Sequence, residues 1–593
     1  MIPEIIARIP QVDVAELIQR LSLSPIQARI VTNRMESLQW DVDDLVTASL
    51  KHIAPPNLLK DSDSAVERIA QAIKNQQTIG LLTDYDVDGI TSHAILFFAL
   101  KDYFNFPEAK IQHLIGHRID DGYGISQGLT DRILAMDEMP QLIITADCGS
   151  SDEGQIVQLK EQGIDIIVTD HHAIPQEGIP LSALATINPT RDDCQYPDAT
   201  IAGCMVSWLL MSYLRARLID DGVLETSAPK LSALLDFVSL GTVADAVSLS
   251  SPINRAVVKA GLKIINQLQR PCWQAMHKLL ERDFQPFTAE DLGFQIGPRI
   301  NARSRMSDPY MALHYLCAPS ISESMSQLSG LDKDNQIRKD TEKQMLDIAL
   351  KLAGPQLKKL NWSLVIFDQA FHAGVQGIVA SRLMEKYGRP VIIFSPTNDE
   401  QILTGSARTI PAIHIREAIE TVANHQPGII SGFGGHKGAA GLKIKRDKIE
   451  QFCELFDQAV ATQINASALD EHIALRPIIY TDGSLTEDEI SFASIAELKG
   501  LEPYGREFEA PVFEGEFKVQ SIRSIGAEAN HLMIQLATDS FSFRAVWFRA
   551  LDKKGDSFPF NNNDDIHAVY QLKENYFRGN FSVQLHIIHA RLL

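Results

Sequence analysis

Three short apolar segments that each end in an aspartate constrain the fold of this chain most. They are TIGLLTD (Thr78–Asp84), QLIITAD (Gln141–Asp147) and IDIIVTD (Ile164–Asp170), and helical patterns follow the first two. ALATINP is predicted to add a fourth strand. Apolar strands that alternate with amphipathic helices are typical of βαβ units, in which helices cover both faces of a parallel sheet. The sequence therefore predicts an α/β fold.

The pattern changes several times along the chain, and 593 residues are too many for one hydrophobic core. The charged segment LDKDNQIRKDTEKQMLDIALKLAG predicts a long exposed connecting helix, and SLVIFDQ begins a second α/β pattern. Short alternating strands near the C-terminus are typical of an oligonucleotide-binding barrel. We predict an N-terminal helical extension (1–50), a first α/β domain (51–265), a helical connector (266–355), a second α/β domain (356–464) and a C-terminal β-barrel (465–593).

Composition limits the compartment and leaves the binding partner open. The six cysteines are scattered, and the first residues lack the pattern of a signal peptide. With no apolar run long enough to span a bilayer, these features predict a cytoplasmic protein without a membrane association. A net charge of −20 argues against nucleic acid as a partner. A nuclease that binds metal through carboxylates, however, can be acidic overall and basic only in its groove.

The motif DYDVDG places Asp84, Asp86 and Asp88 at alternate positions after a predicted strand. If the chain stays extended there, the three carboxylates face the same way and repel one another unless a cation neutralises them. The alternative is an Asp-rich turn, since Asp and Gly favour loops. A calcium-binding loop is disfavoured because Ile95 stands where that motif requires Glu.

Further acids and imidazoles follow the other predicted strands. Asp147 ends the second strand, and Asp170, His171 and His172 end the third; Asp245 follows an apolar run in LDFVSLGTVADAVSL. Ligands of open α/β sheets bind beyond the carboxyl ends of the strands, where these residues are expected to meet. Oxygen and imidazole ligands without thiolates favour Mn²⁺ or Mg²⁺ over structural zinc. The alternatives are a surface histidine pair at a helix start, with Asp170 as N-cap, and a turn aspartate at Asp245.

Together, DYDVDG, ADCG, TDHH and GTVADAV resemble the DHH phosphoesterase superfamily. Other segments resemble one branch of it, the bacterial exonucleases specific for single-stranded DNA. These segments are HRIDDGYGIS, INPTRDDCQYP, GFQIGPRINARSRMSD, FHAGVQGIVASRL, GSARTIP and GFGGHKGAAGL. The resemblance runs from about residue 50 to the C-terminus in the domain order of that branch, which implies a DHH domain, a DHH-associated domain and an oligonucleotide-binding (OB) barrel.

The resemblance implies phosphodiester hydrolysis assisted by two divalent metal ions, Mn²⁺ or Mg²⁺. The metal ligands it implies are Asp84, Asp86, Asp88, Asp147, Asp170, His171 and Asp245. The catalytic residues it implies are Asp86, Asp88, Asp147, His171 and His172.

The implied activity is 5′→3′ digestion of single-stranded DNA to 5′-mononucleotides, in DNA repair and recombination. The implied substrate-binding residues are Arg118, Arg299, Asn301, Arg305, His372, Arg382, Ser406, Arg408 and His436. An exposed arginine is more often a solvated surface residue, and His436 could also lie in a helix-entry loop. Barrel aromatics available for base stacking are Tyr504, Trp547, Phe548, Tyr570 and Tyr576, although aromatics in a barrel are more often core.

The chain departs from the pattern of that branch at a few positions, namely Met205, AFHAG and Arg303–Ser304. None of these departures removes a proposed metal ligand; they bear on the pocket lining and on the base or sugar preference. The expected partners are single-stranded DNA, single-strand-binding protein and recombination helicases, and the expected state is a monomer. One alternative is a hydrolase of short oligonucleotides or cyclic dinucleotides. Another is a non-catalytic replisome scaffold, which the intact set of acids disfavours.

Overall fold

The computed structural model describes residues 3–10, 13–35, 40–118, 121–282, 285–306, 308–359, 362–467, 475–551, 555–577 and 579–593. The chain forms two compact units. The larger unit comprises Ile6–Ser304, Asp308–Ser329 and Tyr480–Leu593, and the smaller unit comprises Met1–Ile5, Arg305–Ser307 and Gly330–Ile479.

The secondary structure is assigned as follows. The strands are β1 (Glu4–Ala7), β2 (Ile79–Thr83), β3 (Ile111–Ile115), β4 (Leu142–Ala146), β5 (Asp165–Thr169), β6 (Ala185–Ile187), β7 (Leu364–Phe367), β8 (Val391–Pro396), β9 (Ile402–Arg408), β10 (Ile430–Gly435), β11 (Ala439–Lys445), β12 (Ile478–Thr481), β13 (Phe513–Ile525), β14 (His531–Ala537), β15 (Ser542–Trp547), β16 (Asp565–Phe577) and β17 (Asn580–Leu592). The α-helices are α1 (Val14–Leu21), α2 (Pro25–Thr32), α3 (Val42–Val46), α4 (Ser62–Lys74), α5 (Val87–Phe98), α6 (Gln127–Leu134), α7 (Glu153–Glu161), α8 (Gly203–Asp220), α9 (Leu235–Ala244), α10 (Pro252–Ile265), α11 (Pro271–Leu279), α12 (Ala289–Asp291), α13 (Gly297–Met306), α14 (Tyr310–Cys317), α15 (Ile321–Lys359), α16 (Gln376–Tyr387), α17 (Ile415–His425), α18 (Ile449–Ala466) and α19 (Phe492–Gly500).

A five-stranded parallel sheet forms the centre of the larger unit, in the order β3-β2-β4-β5-β6. Strands β2 and β4 are buried along their whole length, which is why their sequences are apolar without alternation. Because β2, β4 and β5 are parallel neighbours, Asp84, Asp147 and Asp170 follow them at the same edge of the sheet.

A tight turn joins β2 to α5. The side chain of Asp86 caps α5 by accepting hydrogen bonds from the backbone N–H groups of Asp88 (2.8 Å) and Gly89 (3.2 Å). A Cβ atom at Gly89 would lie 2.3 Å from the backbone oxygen of Asp84, so only glycine allows this close approach. Helix α5 is buried on nearly all sides, against β2, α8, α9 and α14.

The C-terminal strands of the larger unit close into a barrel in the order β13-β14-β15-β17-β16. The barrel core is continuous with apolar residues of α1, α2 and α3. Arg255 on α10 is buried and donates hydrogen bonds to the backbone oxygens of Leu249 (3.2 Å), Leu501 (2.6 Å) and Pro503 (2.9 Å). These bonds tie the segment that precedes the barrel to the helices beside the parallel sheet.

The smaller unit contains a mixed sheet in the order β10-β11-β9-β8-β7. Helix α16 and the C-terminal part of α15 pack on one face of this sheet, and α17 and α18 pack on the other. Strand β9 is antiparallel to β8 and β11, and its residues alternate between buried and half-buried.

The predicted α/β class, the parallel sheet, the long connecting helix and the C-terminal barrel are confirmed. The sequence interpretation missed β3, an edge strand in which Gln112 and His113 interrupt the apolar pattern. The domain boundaries stay predictions. Among the described residues, no helix combines the length and the apolar character needed to cross a membrane.

Candidate metal centre

Carboxylate and imidazole groups converge beyond the carboxyl ends of β2, β4 and β5. They form three overlapping groups in which the potential ligand atoms lie within 4.8 Å of one another. The groups are Asp84–Asp86–Asp147, Asp88–His171–Asp245 and Asp147–His171–His172. The sequence-predicted residues from four separate segments of the chain are therefore brought together, with Asp147 and His171 shared between groups.

Asp88 lies inside α5 and not on an extension of β2. The expectation that DYDVDG stays extended is therefore wrong beyond Asp86, where the capping hydrogen bonds turn the chain into a helix. The carboxylate of Asp88 accepts hydrogen bonds from the backbone N–H groups of Gly203 (2.6 Å) and Cys204 (3.0 Å) at the start of α8. Two helix N-termini thus hold Asp86 and Asp88 in place.

Three buried polar atoms of the centre make no hydrogen bond to any described residue. They are Asp84 Oδ1, Asp147 Oδ1 and His171 Nε2. Asp147 Oδ1 and His171 Nε2 are 3.1 Å apart, and His171 Nε2 is 3.6 Å from Asp245 Oδ2. Buried polar atoms without partners are costly, and a divalent cation satisfies several of them at once. The donor set of carboxylates and one imidazole fits Mn²⁺ or Mg²⁺.

The raised pKa values of the acids in the centre also indicate a cation site. Burial raises the pKa of Asp84, and the charge of Asp86 raises it further. Burial and the charges of Asp88 and Asp86 raise the pKa of Asp147. Burial, Asp88 and Asp86 also raise the pKa of Asp245 to about 8. The protein without metal therefore holds too little positive charge to ionise all these acids at neutral pH.

Asp170 is not among the residues of the three groups, and its role as a metal ligand stays a prediction. Its Oδ1 accepts hydrogen bonds from the backbone N–H of His171 (2.8 Å) and lies 2.8 Å from His172 Nδ1, while Oδ2 accepts from Ser150 N–H (3.0 Å). Burial would raise the pKa of Asp170, but the hydrogen bond and charge of His172 lower it. Its oxygens are occupied in orienting the two histidines.

His172 is held by two neighbours, and one of them was not predicted. Burial would lower the pKa of His172, but the hydrogen bond and charge of Asp170 raise it to about 9. The hydroxyl of Tyr123 lies 2.9 Å from His172 Nδ1 and donates a hydrogen bond to the backbone oxygen of Asp147 (3.0 Å). Tyr123 lies in the HRIDDGYGIS segment, so the resemblance was the only signal for it.

Asn188 was also missed, although it follows β6 at the same edge as the strand-end acids. Its Nδ2 donates hydrogen bonds to the backbone oxygen of His172 (2.9 Å) and to Ser150 Oγ (3.0 Å). Asn188 ends the predicted strand ALATINP, and its position at a strand end was the available signal.

Three predicted substrate-binding residues lie in the larger unit. The guanidinium of Arg118 lies 4.2 Å from the ring centroid of Tyr85, and its Nε has no hydrogen-bond partner among the described residues. Asn301 on α13 accepts a hydrogen bond from the backbone N–H of Val87 (3.1 Å), beside Asp86. Arg299 on the same helix donates to the backbone oxygen of Gln295 (2.6 Å). Arg118 and Asn301 therefore flank the metal centre.

Ser406 and Arg408 lie together on β9 in the smaller unit. Arg408 Nη1 donates a hydrogen bond to Ser406 Oγ (3.1 Å), and a Cβ atom at Gly377 would lie 2.8 Å from Arg408 Nη2. Gly377 is in the first turn of α16, so the guanidinium faces a helix N-terminus. Burial lowers the pKa of Arg408, and no carboxylate among the described residues pairs with it.

The other predicted residues of the smaller unit differ in their surroundings. Gly374 links two of them, because Arg305 Nη1 donates to its backbone oxygen (2.9 Å) and His372 Nδ1 accepts from its backbone N–H (3.0 Å). Arg382 on α16 lies 3.6 Å from Glu342 on α15, so the two side chains form an ion pair within the unit. His436 is exposed and accepts from the backbone N–H of Gly438 (3.1 Å).

The barrel aromatics separate into core and surface. Tyr570 is fully buried, and Tyr504 stacks on Phe508 at a centroid distance of 5.8 Å. Trp547 is half-buried against the core. Phe548 and Tyr576 are exposed, so these two remain available for stacking.

Comparison with known proteins identifies the family. Family models match in chain order: the DHH family N-terminal domain at residues 78–242, the DHHA1 domain at 361–462 and the RecJ OB domain at 481–589. The single-stranded-DNA-specific exonuclease RecJ of Haemophilus influenzae is 35% identical over 91% of this chain and 92% of its own length. The protein of the same name from Escherichia coli is 34% identical over 91% of each chain. The crystal structure of RecJ in complex with Mn²⁺ from Thermus thermophilus superposes with a TM-score of 0.77, at 25% identity over 99% of this chain and 79% of that one. The chain therefore belongs to the RecJ family of DHH phosphoesterases.

Proposed function

We propose that the protein is an exonuclease that hydrolyses single-stranded DNA from the 5′ end and releases 5′-mononucleotides, in DNA repair and recombination. The observation that carries this proposal is the set of three overlapping ligand groups with three buried polar atoms that make no hydrogen bond to any described residue. The relatives are named single-stranded-DNA-specific exonucleases, which supports the substrate class.

Asp86, Asp88, Asp147, His171 and Asp245 would hold two divalent metal ions, Mn²⁺ or Mg²⁺, with Asp84 beside them. Bound there, such ions favour ionisation of an attacking water and offset the negative charge that builds on the phosphate oxygens. Because backbone amides fix Asp86 and Asp88, the ligand atoms are positioned before any substrate arrives.

His172 and Arg118 would contact the scissile phosphate. Asp170 and Tyr123 engage His172 Nδ1, which leaves Nε2 as the ring nitrogen that can donate to a phosphate oxygen. The planar fork of Arg118 suits two phosphate oxygens at once. In this proposal Asp170 and Tyr123 are positioning residues, since they act through His172.

Ser406 and Arg408 would bind the terminal phosphate of the strand. Their support is a largely buried guanidinium without a paired carboxylate among the described residues, facing the N-terminus of α16. A helix N-terminus offers backbone N–H groups and a favourable dipole to an anion. His372 and His436 are the further candidates in the same unit, with Arg305 beside His372.

Digestion of end-blocked substrates tests the proposal. One long single strand carries a blocked 5′ end and another a blocked 3′ end, each with Mn²⁺ or EDTA, beside the same sequence as a duplex. We expect mononucleotides only from the 3′-blocked single strand with Mn²⁺, and none with an Asp147→Asn variant. Degradation of the 5′-blocked strand alone would contradict the polarity. Turnover restricted to dinucleotides would indicate a hydrolase of short oligonucleotides instead.

We also infer that the protein acts as a cytoplasmic monomer, together with single-strand-binding protein and recombination helicases. The support is functional: such partners expose or coat the strand that an exonuclease of this kind degrades. Size-exclusion chromatography with light scattering measures the oligomeric state, and a dimeric mass would contradict the inference.

A further inference from the structure

A surface cavity in the larger unit lies where the barrel meets the helical segment that precedes α13. Its volume is about 340 Å³, and its lining residues are Leu280, Glu281, Arg282, Gln285, Gln295 and Tyr576. We propose that this cavity binds one nucleobase of the single strand and that Tyr576 is the ring on which that base stacks. The inference rests on the proposed function and adds a base-binding position to it.

Tyr576 presents an exposed aromatic ring at the end of the barrel. It lies on β16 opposite Phe581 on β17, and the two ring centroids are 4.8 Å apart. The exposed fractions are 40% for Tyr576 and 56% for Phe581. Strand β13 pairs with β16 only from Asp565 to Tyr570, so the hairpin extends beyond the closed part of the barrel. An exposed aromatic pair of this kind has apolar area that a flat base would cover.

The charges around the cavity favour a base over a phosphate. Arg282 is ion-paired with Asp291 and donates to the backbone oxygen of Pro286 (2.9 Å), so its charge is already neutralised. Glu281 also lines the cavity and would repel an anion. What remains is one ring and the amide side chains of Gln285 and Gln295.

The two glutamines supply the polar part of the site. An amide side chain carries donors and an acceptor, the groups that pair with the edge of a base. The side-chain oxygen of Gln295 accepts a hydrogen bond from Arg299 Nη1 (3.4 Å), so its NH₂ group supplies the donors. Gln295 is linked to α13, since its backbone oxygen accepts a hydrogen bond from Arg299 (2.6 Å). Asn301, further along α13, bonds the backbone of Val87 beside Asp86 (3.1 Å). The seven residues from Gln295 to Asn301 span about 9 Å of helix, which is the length of a few nucleotides.

An exposed salt bridge links the barrel to the helical segment near the cavity. Lys573 on β16 is three residues before Tyr576 in the chain, and its Nζ lies 2.8 Å from Glu290 Oε2 on α12. The Tyr576 ring also packs against Phe581, at a centroid distance of 4.8 Å, so one of its sides is supported before a strand binds. A pre-positioned ring loses little conformational entropy on stacking, which strengthens binding.

Equilibrium binding of base-deleted oligonucleotides tests the inference. The probe is a 5′-phosphorylated, 3′-fluorescent single strand, measured by anisotropy in EDTA so that no hydrolysis occurs. Further probes each lack one base, at successive positions along the strand.

We expect the wild type to lose about tenfold in affinity when one particular base is missing, a loss typical of one stacked base. Tyr576→Ala should bind the intact probe about tenfold more weakly and should show no further loss at that position. Tyr576→Phe should bind as the wild type does, because it keeps the ring.

Phe541→Ala is the matched control. Phe541 is 46% exposed and has Phe543 as its aromatic neighbour at 6.2 Å, but it lies on the β14–β15 turn. This variant should bind as the wild type does. Equal affinity of Tyr576→Ala and Phe541→Ala for the intact probe would overturn the inference, as would an unchanged penalty for the missing base in Tyr576→Ala. If the wild type digests 3′-blocked single strands yet shows no position-dependent penalty, only the base site is wrong. If it neither digests nor binds single strands, the proposed function is wrong as well.

Discussion

Replacing Asp245 by Asn should stabilise the protein without metal and weaken its response to metal. Asp245 caps the end of α9, and its side chain is 24% exposed. Burial and the charges of Asp88 and Asp86 raise its pKa from the usual 3.8 to about 8. A group with a raised acid pKa binds more protons when folded, so the stability it contributes falls as the pH rises from 3.8 towards 8.

The magnitude follows from the size of that pKa shift. A shift of roughly four pKa units corresponds to about 6 kcal/mol, at about 1.4 kcal/mol per unit. Because the neighbouring carboxylates titrate together, one substitution relieves only part of this energy. In EDTA we expect Asp245→Asn to raise the free energy of unfolding by about 2–3 kcal/mol near pH 8.5 and by less than about 1 kcal/mol near pH 5.

Manganese should cancel most of the stability difference between the two proteins. Free Mn²⁺ at about a hundred times its dissociation constant stabilises a binding-competent protein by about 2.7 kcal/mol. The Asn variant lacks one charged ligand atom and should gain less. The assay is urea unfolding followed by circular dichroism, in EDTA and in Mn²⁺ at both pH values.

Asp152→Asn is the control for this experiment. Burial raises the pKa of Asp152 to about 6, but its Oδ2 accepts a hydrogen bond from Ile125 N–H (2.7 Å) and it is outside the ligand groups. Its substitution should stabilise the protein near pH 8.5 equally in EDTA and in Mn²⁺. If Asp245→Asn changes stability identically in both conditions, Asp245 is not part of a metal site and the electrostatic reasoning fails.

Two further predictions concern residues that position the centre. Gly203→Ala should lower Mn²⁺ affinity about tenfold, as changes beside metal ligands do, because the new Cβ would lie 2.9 Å from Asp147 Cβ. Isothermal titration calorimetry measures this affinity. The control is Gly154→Ala, which has nothing within 4 Å of its added Cβ and should bind Mn²⁺ as the wild type does. Wild-type affinity in Gly203→Ala would show that Asp147 need not be fixed there. Tyr123→Phe should lower kcat on single-stranded DNA about fivefold with little change in KM, which is the effect of one lost hydrogen bond. The control is Tyr310→Phe, which loses a hydroxyl bonded to the His113 backbone oxygen (3.1 Å) and should keep the wild-type kcat. An unchanged kcat in Tyr123→Phe would remove its positioning role.

The sequence predicted the edge of the sheet at which the centre lies, because strand-end position is a local property. Asp84 and Asp147 each end an apolar run, and parallel neighbours bring such ends together. The role of Asp170 was not predictable in this way. A carboxylate next to two histidines can bind a metal or orient the histidines, and only the directions of its oxygens decide. The backbone amides of Gly203, far away in the chain from Asp88, have no local signal either.

The barrel shows a second limit of pattern analysis. Tyr570 and Tyr576 are six residues apart on β16, an even spacing that places both on one face of a regular strand. Tyr570 is nevertheless fully buried and Tyr576 is 40% exposed. The difference arises because β13 covers β16 only as far as Tyr570, and Tyr576 lies on the hairpin beyond it. Periodicity gives the face of a strand but not the point at which the barrel ends.

The way the acids are held explains why the centre can accept cations at all. Had lysine or arginine side chains paired with Asp86 and Asp88, they would have occupied the space and the charge that a metal ion requires. Backbone N–H groups at the N-termini of α5 and α8 hold these two carboxylates instead. A helix N-terminus carries only about half a positive charge, so the acids are oriented without being neutralised. Burial and the neighbouring carboxylates raise the pKa values of Asp147 and Asp245, as expected where negative charge is not neutralised. It follows that moving a lysine into this centre should abolish metal binding even where it preserves the fold.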